Sequence, residues 1–210
     1  MKTFKIFGFL LAASAVLTSC VGEDDISLPN YAPTLLGEDF ESGAADNTVL
    51  DLAGWENFNE VGTKVWRNQI YSGNTYAEFS SFTNDPLDKD PVNIGWLISP
   101  SLNMDAQQAE VLSFEVSQSY VSSAANKLEV FISTDYDGNV ANIGSATWQP
   151  LTANIPGTDA TFFEFQDSGD IDLSGFTGTA YLAFKVVGSG QDPNLDGSYQ
   201  IDNVKITYQN

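Results

Sequence analysis

Val111-Leu112-Ser113-Phe114-Glu115-Val116-Ser117 decides how the rest of the chain is read. Leu112, Phe114 and Val116 recur at every second position, with Ser113, Glu115 and Ser117 between them. Successive side chains of an extended strand point to opposite faces, so this stretch has one apolar face and one polar face. One-sided alternation of this kind belongs to antiparallel sheets packed on one side and wet on the other. The same period carries Lys127 to Ser133, with Leu128, Val130 and Ile132 inward, and Thr179 to Val187, with Leu182, Phe184 and Val186 inward. Further strands are expected at 36–41, 64–70, 75–82, 95–99, 147–152, 161–167 and 198–208. Asp137-Gly138-Asn139, Ile155-Pro156-Gly157 and Leu195-Asp196-Gly197 punctuate them as turns. No stretch past residue 35 sustains a 3.6-residue period. About ten short strands over 36–210 predict an all-β fold, a jelly-roll β-sandwich of two antiparallel sheets.

The last strand carries an irregularity. Tyr199 and Ile201 are in phase, and Val204, Ile206 and Tyr208 are in phase with each other but not with Ile201. The register slips by one residue around Asp202-Asn203, as a β-bulge would make it. An acidic residue at a bulge in an apolar strand is explained either by a bound cation or by a hydrogen-bonded structural carboxylate.

Composition removes several chemistries. The chain has 210 residues, 28 Asp and Glu against 8 Lys and Arg, no His and one Cys. Without His there is no Ser-His-Asp or Cys-His nucleophile system and no His-bound zinc. One Cys allows no intrachain disulfide and no thiolate cluster. A net charge of -20 repels phosphate backbones, so no nucleic-acid partner is expected. Hydrophobic residues make up 42% of the chain, which excludes a disordered acidic tail.

Residues 1–19 read as a secretory leader. Lys2 and Lys5 form its basic end, and the apolar run Phe7 to Leu17 is too short to span a bilayer with ease. Leu17-Thr18-Ser19-Cys20 resembles the bacterial lipobox. That resemblance implies cleavage before Cys20, diacylglycerol on its thiol and acylation of its new amine. The mature protein would then hold outer-membrane lipid through two or three acyl chains, at about 0.8 kcal/mol per buried CH₂. The alternative is an ordinary secreted protein with an incidental Cys. Val21-Gly22-Glu23-Asp24-Asp25 either resembles the acidic export signal of Bacteroidetes surface lipoproteins or is a solvated linker. The first places the protein at the cell surface; otherwise it faces the periplasm. Residues 20–35, with Pro29 and Pro33, read as a tether.

An ordered series of segments resembles the choice-of-anchor J domain, related to the cleaved-adhesin domains of bacterial surface proteins. It runs from Glu38-Asp39-Phe40-Glu41-Ser42-Gly43 through Gly54-Trp55, Trp66-Arg67 and Gly95-Trp96-Leu97-Ile98-Ser99-Pro100. It continues with Leu112-Ser113-Phe114, Val130 to Gly138, Trp148 and Ile171-Asp172-Leu173-Ser174. Ala183-Phe184-Lys185 and Ile201-Asp202-Asn203-Val204 complete it. The resemblance implies a jelly roll on an anchored surface protein, often with calcium, that is accessory or adhesive and not catalytic. Relatives often carry this module beside other domains that would reveal the ligand; here it follows the tether alone.

Four constellations are candidates for chemistry. Glu41 and Asp202, then Asp39, supply hard oxygens on two terminal strands expected side by side. With backbone carbonyls they would hold structural Ca²⁺; the alternative is surface carboxylates in an acidic protein. Asp135-Tyr136-Asp137-Gly138-Asn139 is either a fragment of a calcium loop or a tight turn with positive φ at Gly138. The loops Asn84 to Pro91 and Gln191 to Asp196 are polar and Pro-bearing, suited to a ligand or simply to joining strands. Among the aromatics, Tyr71, Tyr120 and Tyr136 lie near strand ends, where exposed rings could stack on a pyranose. Trp66, Trp96 and Trp148 read as core. The expectation is a non-catalytic binder of a glycan or of a surface or host protein. The alternatives are a structural subunit of an outer-membrane assembly and a glycan-cleaving enzyme. The chain lacks the Glu-x-Asp-x-x-Glu strand pattern of jelly-roll glucanases, and its few cations suit a polysaccharide lyase poorly.

Overall fold

A computed structural model describes residues 32–209. The leader 1–19, Cys20 and the tether as far as residue 31 lie outside the described residues. In chain order the strands are β1 (Thr34–Glu38), β2 (Thr48–Val49), β3 (Glu56–Val61), β4 (Arg67–Tyr71), β5 (Asn74–Ser80), β6 (Asn93–Ile98) and β7 (Leu102–Asn103). They continue as β8 (Gln108–Ser119), β9 (Lys127–Ser133), β10 (Gln149–Leu151), β11 (Gln166–Asp167), β12 (Ile171–Asp172), β13 (Thr179–Gly188) and β14 (Ser198–Gln209). Short 3-10 turns occupy Pro86–Asp88 and Val140–Ser145. All pairings are antiparallel.

Two sheets stack. The first runs β11-β8-β14-β5-β4-β2, with β12 also on β8 and β1 also on β14; the second runs β10-β9-β13-β6-β3, with β7 on β13. The alternation read in the sequence is what glues them. Leu112, Phe114 and Val116 from β8 face Leu182, Phe184 and Val186 from β13, all within one buried cluster. Phe114 and Phe184 meet edge to face, 5.1 Å between ring centres. Each such side chain contributes about 1.5–3 kcal/mol by leaving water. The jelly-roll sandwich expected from strand spacing is the fold found.

β14 explains the phase slip. Residues 198–201 pair with β5, while Val204 to Thr207 pair with β1. Between them the ladder with β8 shifts register from Asp202 to Lys205, and Asn203 has φ 49°. The bulge therefore sits where the strand changes neighbours.

Four strands lack a periodic signal. β3, Glu56-Asn57-Phe58-Asn59-Glu60-Val61, is a polar edge strand of the second sheet, so only Phe58 finds an apolar surface there. β2, β7 and β12 are two residues each, too short to display any period. Conversely, only Gln166–Asp167 of the expected strand 161–167 pairs with a neighbour.

Candidate functional site

The outward face of the first sheet is a polar ladder. Alternation sends Glu115, Ser117 and Ser119 of β8 outward, and the same rule sends Ser198, Gln200 and Asp202 of β14 and Glu78 and Ser80 of β5 to that side. Register aligns them in rows. Gln200 stands between Glu78 and Ser117, and Ser198 between Ser80 and Ser119. Gln200 Nε2 donates to Glu78 Oε2 at 2.7 Å and to Ser119 Oγ at 3.2 Å, and Ser117 Oγ donates to Gln200 Oε1 at 2.8 Å. Every polar atom of Gln200 named here is used, which makes this floor rigid. Burial pushes the Glu78 carboxyl above its ordinary range, with the Gln200 hydrogen bond opposing.

Loops wall one end of this ladder, Glu78, Ser80, Ser119 and Ser198, into a cavity of about 980 Å³, while Ser117 and Gln200 stay fully buried outside its lining. One wall is the segment before β11. Phe163 N donates to Gln118 O at 2.8 Å, and Gln118 Nε2 donates to Ala160 O at 2.9 Å. Phe165 packs edge-on against Tyr76, 5.4 Å between centres. The other side is made by Phe82 after β5 and by Pro193 and Asp196 in the loop before β14. Four large aromatics stay open to solvent in this lining: Tyr120 at 64%, Phe82 at 55%, Phe163 at 48% and Phe162 at 45% exposure. Tyr120 and Phe163 hold φ of 59° and 60°. A side chain with Cβ loses about 1–2 kcal/mol in that conformation, so two bulky rings are held there by their surroundings.

The fold is similar to that of cleaved adhesin domains. The K1 and K3 cleaved adhesin domains of Lys-gingipain from Porphyromonas gingivalis W83 match with TM-scores of 0.53 and 0.52, at 20% and 19% identity. Each match covers 83% of this chain and 98% or 99% of the adhesin domain. The carbohydrate-binding module TmCBM61, in complex with β-1,4-galactotriose, matches with a TM-score of 0.50 at 12% identity, over 85% of this chain and 100% of that one. No sequence-family profile matches the chain. No curated protein matches it in sequence.

The residues singled out from sequence are distributed unevenly. Tyr120 lines the cavity. Tyr71 is 73% exposed at the β4–β5 hairpin and is not among the cavity residues. Tyr136 is not exposed, although its place near a strand end suggests that it would be. It is buried on the outer face of the second sheet, with Trp148 and Tyr181 at 5.2 Å and 5.1 Å. A buried ring offers no face to a sugar. The physical reason is the loop from 134 to 148, which folds back so that Tyr136 and Ile143 make a second small core with Trp96, Ile98 and Ala183. Asp135 and Asp137 serve its turns. Asp135 Oδ1 accepts from Thr147 N at 2.7 Å and Asp137 Oδ1 from Asn139 N at 3.0 Å, with Gly138 at φ 78°.

Glu41 and Asp202 do come together. Glu41 Oε1 accepts from Thr75 N at 2.8 Å, and Asp202 Oδ2 accepts from Asn74 Nδ2 at 2.9 Å, so both hold the start of β5. Burial raises the Asp202 carboxyl above its ordinary range, and the charges of Glu115 and Glu41 add to that rise. Asp39 instead caps its own turn, accepting from Glu41 N at 3.2 Å. Among the described residues no three acidic, His or Cys side chains gather as a metal cluster. Both Asp202 oxygens and one Glu41 oxygen already accept protein hydrogen bonds, from Asn74, Asn203 N and Thr75 N.

Phe82, Phe162, Phe163 and Glu78 escape a sequence reading. Thr161-Phe162-Phe163-Glu164-Phe165 looks like a strand by composition, yet two adjacent Phe would then face opposite ways. That conflict is the signal that could have exposed the segment as a loop.

Proposed function

We propose that this chain is a non-catalytic binding protein that holds an oligosaccharide in the cavity over the first sheet. The observation that carries the reading is the combination, in one cavity, of four solvent-open aromatics with Glu78, Ser80, Ser119 and Ser198, of which Glu78 and Ser119 are held by the buried amide of Gln200. Sugar rings present apolar C–H faces to aromatics and hydroxyls to fixed donors and acceptors, and this lining supplies both. The galactotriose bound to TmCBM61 supports the class of ligand, on a similar fold. Glu78 is engaged by Gln200 at the floor, which suits holding a ligand better than cycling a proton.

The same reading includes an outer-membrane lipid anchor at Cys20, a surface-facing placement signalled by Val21 to Asp25, membership of the choice-of-anchor J group, and calcium between Glu41 and Asp202. The lipobox-like Leu17-Thr18-Ser19-Cys20 supports the anchor. The buried carboxylate of Asp202, with two anionic neighbours, supports the cation.

A glycan array followed by isothermal titration of the purified protein tests the binding role. Saturable binding of an oligosaccharide, lost on replacing Tyr120, is expected. Binding to no glycan, or release of reducing ends from a bound one, overturns the reading.

A further inference from the structure

Charge in the cavity is one-sided. Its lining contains Glu78 and Asp196 and no Lys or Arg. The ion pairs among the described residues are Lys64–Asp88, Lys127–Glu129 and Lys185–Glu60, and none involves either cavity acid. The hydrogen-bond partner of Glu78 is the neutral amide of Gln200. Arg67 is the cross-strand partner of Glu78, but its guanidinium donates to Asn47 instead, so Glu78 has given up water without gaining an ion pair.

The aromatic walls have the same preference. The face of an aromatic ring is the negative end of its quadrupole and attracts cations. Phe82, Tyr120, Phe162 and Phe163 are open to solvent in the same lining as the two acids. The field of a chain carrying net charge -20 adds a longer-range pull on cations, screened beyond about 10 Å at 0.1 M salt. An anionic ligand meets carboxylates, ring faces and hydroxyls there, and no group that would neutralise it.

We propose that the cavity selects ligands carrying an ammonium group beside apolar ring faces. Within the glycan reading above, on which this rests, that means oligosaccharides of amino sugars with free amines. The ammonium pairs with Glu78 or Asp196, and the ring bodies lie against the aromatics. Burial has already raised the affinity of Glu78 for a proton, and a bound ammonium supplies positive charge in the proton's place. Neutral glycans bind through stacking and the polar floor alone, and uronic-acid glycans are rejected.

The test is isothermal titration of the purified full-length protein with three probes at about pH 6. They are a fully deacetylated glucosamine tetramer, its fully N-acetylated counterpart and a galacturonic acid tetramer. The amine form is expected to bind about tenfold tighter than the acetylated form, the worth of one charge-assisted hydrogen bond. High salt and the substitutions Glu78→Gln and Asp196→Asn shrink that ratio, because they cost the amine form more affinity than the acetylated form. Equal affinity for the amine and acetylated forms overturns the selectivity and leaves the glycan reading standing. So does binding of the galacturonic acid tetramer as tightly as the amine. Silence across these probes and a panel of neutral glycans overturns the glycan reading and takes the selectivity with it.

Discussion

Tyr120 and Phe162 stand with ring centres 4.8 Å apart, inclined at 48°, at the mouth of the cavity. Neither is near the other in sequence. Tyr120 closes β8, and its φ of 59° turns the chain there, while Phe162 belongs to the loop before β11. Phe163 completes the group, edge-on to Tyr120 at 6.3 Å.

Tyr120→Ala is therefore expected to weaken glycan binding about tenfold, which corresponds to about 1.4 kcal/mol of lost stacking. Its ring is mostly in water, so the urea midpoint should hardly move. Tyr71→Ala should change neither quantity. Titration and urea unfolding of the two variants check this, and equal losses of affinity in both would place the binding face elsewhere.

How far the sequence carries follows from the period of each segment. Leu112-Phe114-Val116, Leu128-Val130-Ile132 and Leu182-Phe184-Val186 pack into one core because each strand is long enough to show its alternation. Even the bulge at Asp202-Asn203 is legible, as a phase change. The cavity is different. It is built by loops, whose side-chain directions follow no period, and by Glu78, Ser80, Ser119 and Ser198, which become neighbours only through cross-strand register. Tyr136 shows the same limit in reverse. Its place beside a turn suggests exposure, but the loop closes over it and buries the ring.

Glu78 gives a pH signature. Burial raises its folded-state pKa above the ordinary 4.5, so between 4.5 and the raised value the folded state binds more proton than the unfolded state. Stability contributed by this group then falls as pH rises through that window and levels off above it. Glu78→Gln removes the fall. Urea unfolding at about pH 4 and pH 7 should show a smaller loss in the variant than in the parent. An identical loss in both would mean that Glu78 titrates normally.

Gly95 marks how closely the sheets meet. It lies in β6 and faces inward, and a Cβ there would fall on the ring of Phe79. Phe79 is fully buried and fixed edge-on against Trp66 at 5.8 Å, so it has nowhere to yield. Gly95→Ala should destabilise the fold by about 1–3 kcal/mol through overpacking. A urea midpoint equal to the parent's would show that the ring can move aside.

If calcium sits between Glu41 and Asp202, it joins β1's end to the bulge of β14 and the start of β5. EDTA should then lower the melting temperature of the parent, and added Ca²⁺ should restore it, by mass action on the folded state. Asp202→Asn should abolish the response. An unchanged melting curve in EDTA would leave the pair as hydrogen-bond anchors for Asn74 and Thr75 alone.

Tyr136 separates packing from binding. Its ring is held by Trp148 and Tyr181, yet its buried hydroxyl has no hydrogen-bond partner. Burial, with Glu56 and Asp137 nearby, pushes that hydroxyl's pKa up to about 12, so it stays neutral at ordinary pH. An unsatisfied buried hydroxyl costs about 1–3 kcal/mol, and Tyr136→Phe removes it while keeping the ring. That variant should unfold at higher urea concentration than the parent. Tyr136→Ala empties the space instead and should cost about 3–5 kcal/mol. Because this cluster lies on the second sheet and the cavity on the first, neither substitution should alter glycan affinity in the folded protein. A Tyr136→Phe variant less stable than the parent would mean that the hydroxyl is satisfied after all. Weakened binding by either folded variant would connect the two faces.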